Sequence, residues 1–66
     1  MVQLTKREKE VLSLLSEGLS NSEIREKMGI KQPTLSSHFK NIYLKLGLDG
    51  ENKKTKAAVW FLKNRG

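Results

Sequence analysis

The segment Ser20–Ile42 reads SNSEIREKMGIKQPTLSSHFKNI and decides the fold of this chain. It begins with a serine of the kind that caps helices, and the apolar residues Ile24 and Met28 follow, four residues apart. Gly29 then permits the left-handed backbone that a tight turn between two helices requires. A second set of apolar residues with helical spacing follows this glycine. The segment therefore predicts two amphipathic helices joined by a short turn, the arrangement called helix-turn-helix.

The rest of the chain extends this pair of helices to an all-α, four-helix domain. Thr5 can cap a first helix, with Glu8 three residues later to complete a capping box, and Gly18 ends that helix. Gly47 ends the second helix of the pair, and a polar loop leads into a last, strongly apolar helix. The 66 residues have room for one small domain, so residues 1–66 are expected to form a single domain. We predict helices over residues 5–17, 21–28, 33–46 and 53–64.

Composition argues against several classes of protein. The chain has no cysteine and only one histidine, His38, so a metal site built from these ligands is not expected. No nucleophile–base pair and no phosphate-binding loop is recognisable, which argues against an enzyme and against a cofactor. No apolar run approaches the roughly 20 residues that span a bilayer, and no signal peptide opens the chain. We therefore expect a cytoplasmic protein, without a membrane partner, that acts by binding.

Charge is distributed unevenly along the chain. The formal net charge is +6, yet residues 1–30 carry five basic and five acidic groups and are neutral as a whole. Residues 31–48 carry three lysines and no acid, and residues 49–66 carry five basic groups against two acids. The whole positive excess thus lies on the second helix of the pair and on the residues after it. Such a one-sided basic surface favours a polyanionic partner over a generic solubilising charge.

The second helix of the pair has an outer face that suits the major groove of duplex DNA. Once its buried apolar stripe is subtracted, short polar and basic side chains remain. Ser36 and Ser37 let the backbone approach a groove closely, and Lys40, one turn later, can reach a base edge or a phosphate. Exposed serines are common on helices, so this interpretation depends on their position between a turn and a lysine on a face without acids. The residues expected to face bases are Pro33, Ser36, Ser37, Lys40 and Asn41.

Phosphate contacts are expected on the flanks of that helix. The start of the preceding helix presents free backbone N–H groups and the positive end of the helix dipole, which favour an anion. Lysines towards the C-terminus add positive charge. Each candidate has an ordinary alternative role, helix capping for the first group and solubility for the lysines. The expected phosphate contacts are Ser20, Asn21, Ser22, Thr34, Lys45, Lys53, Lys54 and Lys56.

Four stretches of the chain resemble the sequence motifs of one known protein family. Residues 4–12, LTKREKEVL, resemble the family's L-T-x-R-E-x-E-V-L opening, and residues 18–24, GLSNSEI, resemble G-x-S-N-x-E-I. Residues 34–38, TLSSH, resemble T-V-x-x-H, and residues 41–47, NIYLKLG, resemble N-I-Y-x-K-L-G. The match covers nearly the whole chain in the right order, so the chain resembles LuxR/GerE-type (NarL-like) helix-turn-helix DNA-binding domains.

This resemblance implies a bacterial transcription regulator whose four-helix domain binds promoter DNA, usually as a dimer through the last helix. Carried over by position, the recognition contacts fall on Ser36, Ser37 and Lys40, and His38 joins the residues expected at the DNA backbone. A dimer of this kind would also use apolar side chains of the last helix that the core leaves over. We assign that dimer interface to Ala57, Ala58, Phe61 and Leu62.

The chain departs from the family pattern at several positions. Arg25 stands where such motifs usually have a small alanine, Lys31 replaces the usual serine cap, and Ser36 often corresponds to a basic residue. The loop at residues 49–54 is longer than the common form. Looser packing of the helix pair and lower affinity for DNA are the expected consequences. Two other functions stay open: a helix-turn-helix protein-interaction module, and a promoter-reading region like that of a sigma factor.

Overall fold

The computed structural model describes residues 2–65, and over that range it contains four α-helices and no β-strand. The helices are α1 (Lys6–Ser16), α2 (Asn21–Met28), α3 (Gln32–Leu46) and α4 (Lys53–Asn64). The prediction of an all-α, four-helix fold is confirmed. Residues 1 and 66, the two ends of the expected domain, lie outside the described range. In the part of the chain that is described, none of the helices has the length and apolar character needed to cross a membrane.

Capping residues set where α1 and α2 begin. The Thr5 hydroxyl accepts a hydrogen bond from the Glu8 N–H at 3.1 Å, and the Glu8 carboxylate accepts one from the Thr5 N–H at 2.9 Å. Ser20 and Glu23 repeat this reciprocal pair at the start of α2, at 3.2 and 2.9 Å. Both pairs are capping boxes, so Thr5 precedes the first turn of α1 instead of belonging to it.

Glycines in the left-handed conformation end α2 and α3. Gly29 has φ 66° and Gly47 has φ 68°, values that residues with a Cβ adopt only with strain. At the end of α2, the Ile30 N–H donates a hydrogen bond to the carbonyl of Arg25 at 3.1 Å. At the end of α3, the Leu48 N–H donates the equivalent bond to the carbonyl of Tyr43 at 2.9 Å. Three residues connect α2 to α3, and six connect α3 to α4. The first of these turns sets α2 and α3 against each other as the predicted helix-turn-helix pair.

The start of α3 lacks the capping box that begins α1 and α2. Lys31 occupies the capping position in an extended conformation, and its side chain makes no capping hydrogen bond. Gln32 is already helical, one residue earlier than predicted, and Pro33 follows within the first turn, where its missing N–H does no harm. The absent serine cap therefore leaves the first backbone N–H groups of α3 without a side-chain acceptor.

The core lies where all four helices meet. Val11 and Leu12 of α1 are fully buried at its centre, and α4 packs mainly against α1. Both helices of the pair contribute apolar side chains at the predicted spacing. The remaining buried apolar residues are Ile24, Met28, Leu35, Phe39, Ile42 and Ala57.

Arg25 lies half-buried beside this core, at the position where a small residue was expected. Its Nε atom is buried and has no hydrogen-bond partner within residues 2–65. Ile24 and Leu35, from the two helices of the pair, are nevertheless fully buried. The large side chain is thus accommodated at the edge of the helix pair without opening its centre.

The assignment of Ala57 to a dimer interface is wrong. Its side chain is fully buried in the core of the single chain, so it has no surface left to offer a second copy. Phe61, one helical turn later, also packs against the core and is only partly exposed. The helix face that contains Ala57 and Phe61 is therefore the inner face of α4, which holds this helix against α1.

Candidate nucleic-acid interface

The outer face of α3 is formed by the residues that the sequence predicted to face bases. Pro33, Ser36, Ser37, Lys40 and Asn41 are all exposed. The opposite side of the helix carries the buried stripe, so the two faces are cleanly separated. No acidic residue occurs in α3. The surface therefore offers hydroxyl, amide and ammonium groups without a fixed negative charge beside them.

The hydroxyl of Ser36 is held by a neighbour on the same helix. The Gln32 side-chain amide donates a hydrogen bond to the Ser36 Oγ atom at 2.9 Å. Because Oγ acts as the acceptor in this bond, the Ser36 O–H stays available as a donor. Sequence reasoning did not include Gln32, although two polar side chains four residues apart on a helix are neighbours and could have suggested the pair. Gln32 therefore belongs to the same exposed surface.

A side-chain hydrogen bond links the start of α4 to the start of α2, a pairing that no local sequence pattern could reveal. The Lys54 ammonium donates a hydrogen bond to the Asn21 side-chain carbonyl at 2.8 Å, across 33 residues of sequence. Asn21 is the first residue of α2, and Lys54 lies in the first turn of α4. Ser22 is exposed beside them. The Lys54–Asn21 bond thus links two groups of expected phosphate contacts that are far apart in sequence.

Two lysines of α4 lie over aromatic rings of α3. The Lys53 ammonium is 5.0 Å from the centre of the Tyr43 ring, and the Lys54 ammonium is 5.2 Å from that of Phe39. Such cation–π contacts stabilise the charge and hold the lysines beside α3. Burial raises the pKa of Tyr43, so its phenol stays neutral at physiological pH. The aromatic side chains of α3 therefore position positive charge next to the helix that carries the polar face.

Some of the expected phosphate contacts already have partners within the chain. The Ser20 hydroxyl accepts a hydrogen bond from the Glu23 N–H, and the Ser20 N–H donates one to the Glu23 carboxylate. The second bond is the main cause that lowers the pKa of Glu23. Glu23 also places a carboxylate at the start of α2, where an anion was expected. Thr34 and Lys56 are exposed, whereas His38 is half-buried at the edge of the outer face. Asn21 and Ser22 are thus better placed than Ser20 to contact a ligand.

Lys45 forms an ion pair with Glu8. Its ammonium lies 2.7 Å from the Glu8 carboxylate, whose side chain is only 3% exposed. Burial by itself raises the pKa of Glu8, but the hydrogen bonds from Lys45 and Thr5 and the charge of Lys45 outweigh it and lower the net pKa. Lys45 therefore ties the end of α3 to the start of α1 and is less free for a phosphate than the lysines of α4.

The solvent face of α4 is more apolar than a surface helix requires. Val59 and Leu62 are 43% and 47% exposed, and Ala58 beside them is half-buried. Sequence reasoning assigned Ala58 and Leu62 to a dimer interface but did not include Val59. The helical period could have identified Val59, since it lies on the side opposite Ala57. Ala58, Val59 and Leu62 together form the α4 apolar stripe.

Leu44 is an exposed apolar residue of α3 that was not among the residues predicted to lie on its outer face. It is 71% exposed on α3, the highest value among the large apolar residues that the structure describes. The leucine lies beside the groove between α3 and the start of α4, which Lys40 and Lys53 also line. The outer face of α3 is therefore mostly polar and basic, with one exposed apolar side chain, that of Leu44.

The fold and the site together define a class of protein. A helix-turn-helix whose second helix has an acid-free outer face, flanked by lysines, is typical of helix-turn-helix DNA-binding domains. Comparison with known proteins identifies the family. Residues 2–60 match the family described as bacterial regulatory proteins, luxR family. The chain belongs to this family, as its sequence motifs predicted.

Individual relatives are regulators of transcription. The chain is 43% identical to the transcriptional regulatory protein LiaR of Bacillus subtilis over 61 residues, which are 92% of this chain and 28% of that protein. It is 41% identical to the transcriptional regulatory protein DegU of Brevibacillus brevis over 61 residues, 92% of this chain and 25% of that one. Identity to the HTH-type transcriptional regulator MalT of Serratia proteamaculans is 35% over 63 residues, 96% and 7% of the two chains. The chain thus spans less than a third of the length of each of these regulators.

Proposed function

We propose that this domain binds duplex DNA with α3 in the major groove and thereby takes part in transcriptional regulation. The observation that carries this proposal is the outer face of α3, which is exposed, free of acids and flanked by the lysines of α4. The major groove admits a helix, and hydroxyl, amide and ammonium groups pair with the base edges there. We infer that the chain acts by binding instead of catalysis, and in the cytoplasm, where bacterial DNA is found. Pro33, Ser36, Ser37, Lys40 and Asn41 would lie against the bases.

Phosphate contacts in this proposal come from the starts of α2 and α4, which a side-chain hydrogen bond links. The hydrogen bond from Lys54 to Asn21 joins the positive end of the α2 dipole to an ammonium group, and both favour a phosphate. Lys53 and Lys56 extend this group of contacts along the first turn of α4. We assign Lys45 a weaker part because its ammonium is engaged by Glu8. The proposed backbone contacts are Asn21, Ser22, Thr34, His38, Lys53, Lys54 and Lys56.

Selection of preferred sites from random duplex DNA tests the proposal. The expected result is one enriched sequence, because the polar side chains of α3 distinguish base pairs in the major groove. If the domain binds as a dimer, the enriched sequence should contain two half-sites related by symmetry. Recovery of random sequence would contradict base reading by α3. Failure to retain any duplex would favour the protein-interaction module.

We also propose that two copies of the domain pair through the α4 apolar stripe. Val59 and Leu62 are about half exposed, and burial of leucine and valine side chains is a main source of stability in protein interfaces. The stripe lies on the side of α4 opposite Ala57, so pairing there leaves the core intact. The outer face of α3 carries none of its residues, which allows each copy to contact DNA while paired.

Sedimentation with and without the selected duplex tests the pairing. The Leu62→Lys variant introduces a charge into the stripe and should bind the duplex as one copy where the wild type binds as two. Val2→Lys is the matched control, because Val2 is an apolar residue of similar exposure, 41%, outside α4. Pairing should survive in this control. A wild-type domain that binds one copy per site would contradict the proposal.

A further inference from the structure

Leu44 lies on the same stripe of α3 as the residues proposed to face bases. It follows Lys40 by four residues, Ser37 by seven and Pro33 by eleven, and residues at these spacings share one face of a helix. Leu44 is 71% exposed, so its side chain projects from that face instead of packing into the core. An apolar side chain thus interrupts a surface that is otherwise polar or basic.

The position of Leu44 along the helix is within reach of the groove. Seven residues of α-helix separate it from Ser37, a distance of about 10 Å along the axis. The major groove of duplex DNA is roughly 12 Å wide. If Ser37 and Lys40 lie against the bases, the turn of Leu44 is therefore close enough along α3 to reach the same groove.

The chemistry of Leu44 restricts what it can contact there. A leucine forms no hydrogen bond with a base edge, and packing it against a charged phosphate would bury no apolar surface on the DNA side. The apolar group that bases present in the major groove is the C5 methyl of thymine. We propose that Leu44 packs against the C5 methyl group of a thymine and gives this domain a preference for thymine at one position of each site it occupies.

This inference rests on the proposed DNA binding and names a base that α3 selects. Lys40 is the only charged residue on the outer face between Pro33 and Leu44. Arginine, the residue that most often reads guanine, is absent from α3. An apolar contact with thymine therefore supplies discrimination that the short hydroxyl side chains provide only in part.

Replacement of thymine by deoxyuridine tests the proposal. Deoxyuridine pairs with adenine as thymine does but lacks the C5 methyl, so the change removes only the group that Leu44 is proposed to contact. Each thymine of the selected duplex is replaced in turn, and the affinity of the wild-type domain is measured. At one position per occupied site we expect about three- to fivefold weaker binding, the effect of exposing one buried methyl group.

The Leu44→Ala variant completes the experiment. It should bind the thymine duplex about as weakly as the wild type binds the deoxyuridine duplex, and it should no longer distinguish the two. Val2→Ala is the matched control and should keep the wild-type discrimination, because Val2 is an exposed apolar residue outside α3. Since Leu44 is exposed, its truncation should leave the urea unfolding curve nearly unchanged, so lost discrimination is not a folding defect.

The proposal is overturned if the wild type binds every deoxyuridine duplex as tightly as the thymine duplex. It is also overturned if wild type and Leu44→Ala lose affinity by the same factor at every position. In both of these cases salt-dependent DNA binding is retained, so only the assignment of Leu44 is wrong. Absence of duplex binding by the wild type would instead overturn the proposed function itself, and the assignment of Leu44 with it.

Discussion

Glu8 is the one charged residue among those described that is almost completely buried, at 2% exposure. It accepts the Thr5 N–H that closes the capping box of α1 and the Lys45 ammonium near the end of α3. Because the folded state holds its pKa below the ordinary 4.5, the carboxylate stabilises the fold at neutral pH. That contribution is complete above pH 4.5 and is lost as the pH falls through the lowered pKa. A single side chain thus joins the start of α1 to the end of α3 in a pH-dependent way.

Replacing Glu8 by glutamine should lower the free energy of unfolding by about 1–2 kcal/mol at neutral pH. The amide keeps the size of the side chain but removes the charge that pairs with Lys45. The loss stays below that of a fully buried pair because the Lys45 side chain is 36% exposed. Urea unfolding measured from neutral pH downwards should show the variant and wild type converging below pH 4.5.

Glu10→Gln is the matched control for this experiment. Glu10 also lies on α1, but its ion pair with Arg7, at 3.4 Å, is exposed to water on both sides. Its replacement should change the free energy of unfolding by less than about 0.5 kcal/mol. Equal losses in the two variants, or a Glu8→Gln loss independent of pH, would contradict the role given to Glu8.

Lys40→Ala should weaken DNA binding by about 1 kcal/mol or more, since the lysine is exposed at the centre of the proposed groove-facing surface. Lys9→Ala removes the same charge from α1, outside that surface, and should have a much smaller effect. Fluorescence anisotropy with one labelled duplex at fixed salt compares the two. Similar losses for both variants would mean that net charge alone, and not the α3 face, determines affinity.

The helices are largely determined by local signals, and for that reason the sequence predicted them well. Serine and threonine caps with a glutamate three residues later predicted where α1 and α2 begin, and glycines predicted where helices end. The start of α3 was predicted one residue late, because its capping position holds a lysine that gives no side-chain signal. Which side of α4 faces the core was only partly predicted, since nearly all of its middle residues are apolar.

The turn between α2 and α3 depends on one backbone conformation. Gly29 has φ 66°, and no heavy atom beyond the glycine and its two chain neighbours lies within 4 Å of where a Cβ would be, so an alanine there is strained only by its backbone. Gly29→Ala should therefore lower the free energy of unfolding by about 1–2 kcal/mol. Gly29→Asn should cost less, because asparagine adopts this conformation more readily. Equal stability of wild type and the alanine variant in urea would contradict the strained turn.

The candidate site was predictable only in the parts that lie on a single helix. The exposed residues of α3 follow from its helical period, so all five residues expected to face bases are indeed exposed. The Lys54–Asn21 hydrogen bond, the lysines over Tyr43 and Phe39, and the engagement of Lys45 by Glu8 join residues distant in sequence. No spacing rule in one helix reveals such pairs. Leu44 lies on the same helical period as the polar face, but the prediction of that face included only proline, polar and basic residues, so Leu44 was left out.

At the scale of the whole molecule, the fold gathers the positive charge of the chain around one helix. The first 30 residues are neutral overall, and the loop between α3 and α4 carries only the acids Asp49 and Glu51, so the positive excess comes from the basic residues in and beside α3 and α4. The packing of α4 brings its first-turn lysines beside α3, whereas the α4 apolar stripe points away from the core. The domain thus separates the basic surface that we propose to bind DNA from the apolar stripe that we propose to pair with a second copy.

The salt dependence of affinity for duplex DNA tests the central claim most directly. If the lysines of α3 and α4 neutralise about three to five phosphates, the logarithm of the association constant should fall linearly with the logarithm of the salt concentration, with a slope between about −3 and −4.5. The measurement is a titration of one labelled duplex with the wild-type domain at rising salt. A slope near zero, or no binding even at low salt, would contradict the claim that this surface binds DNA.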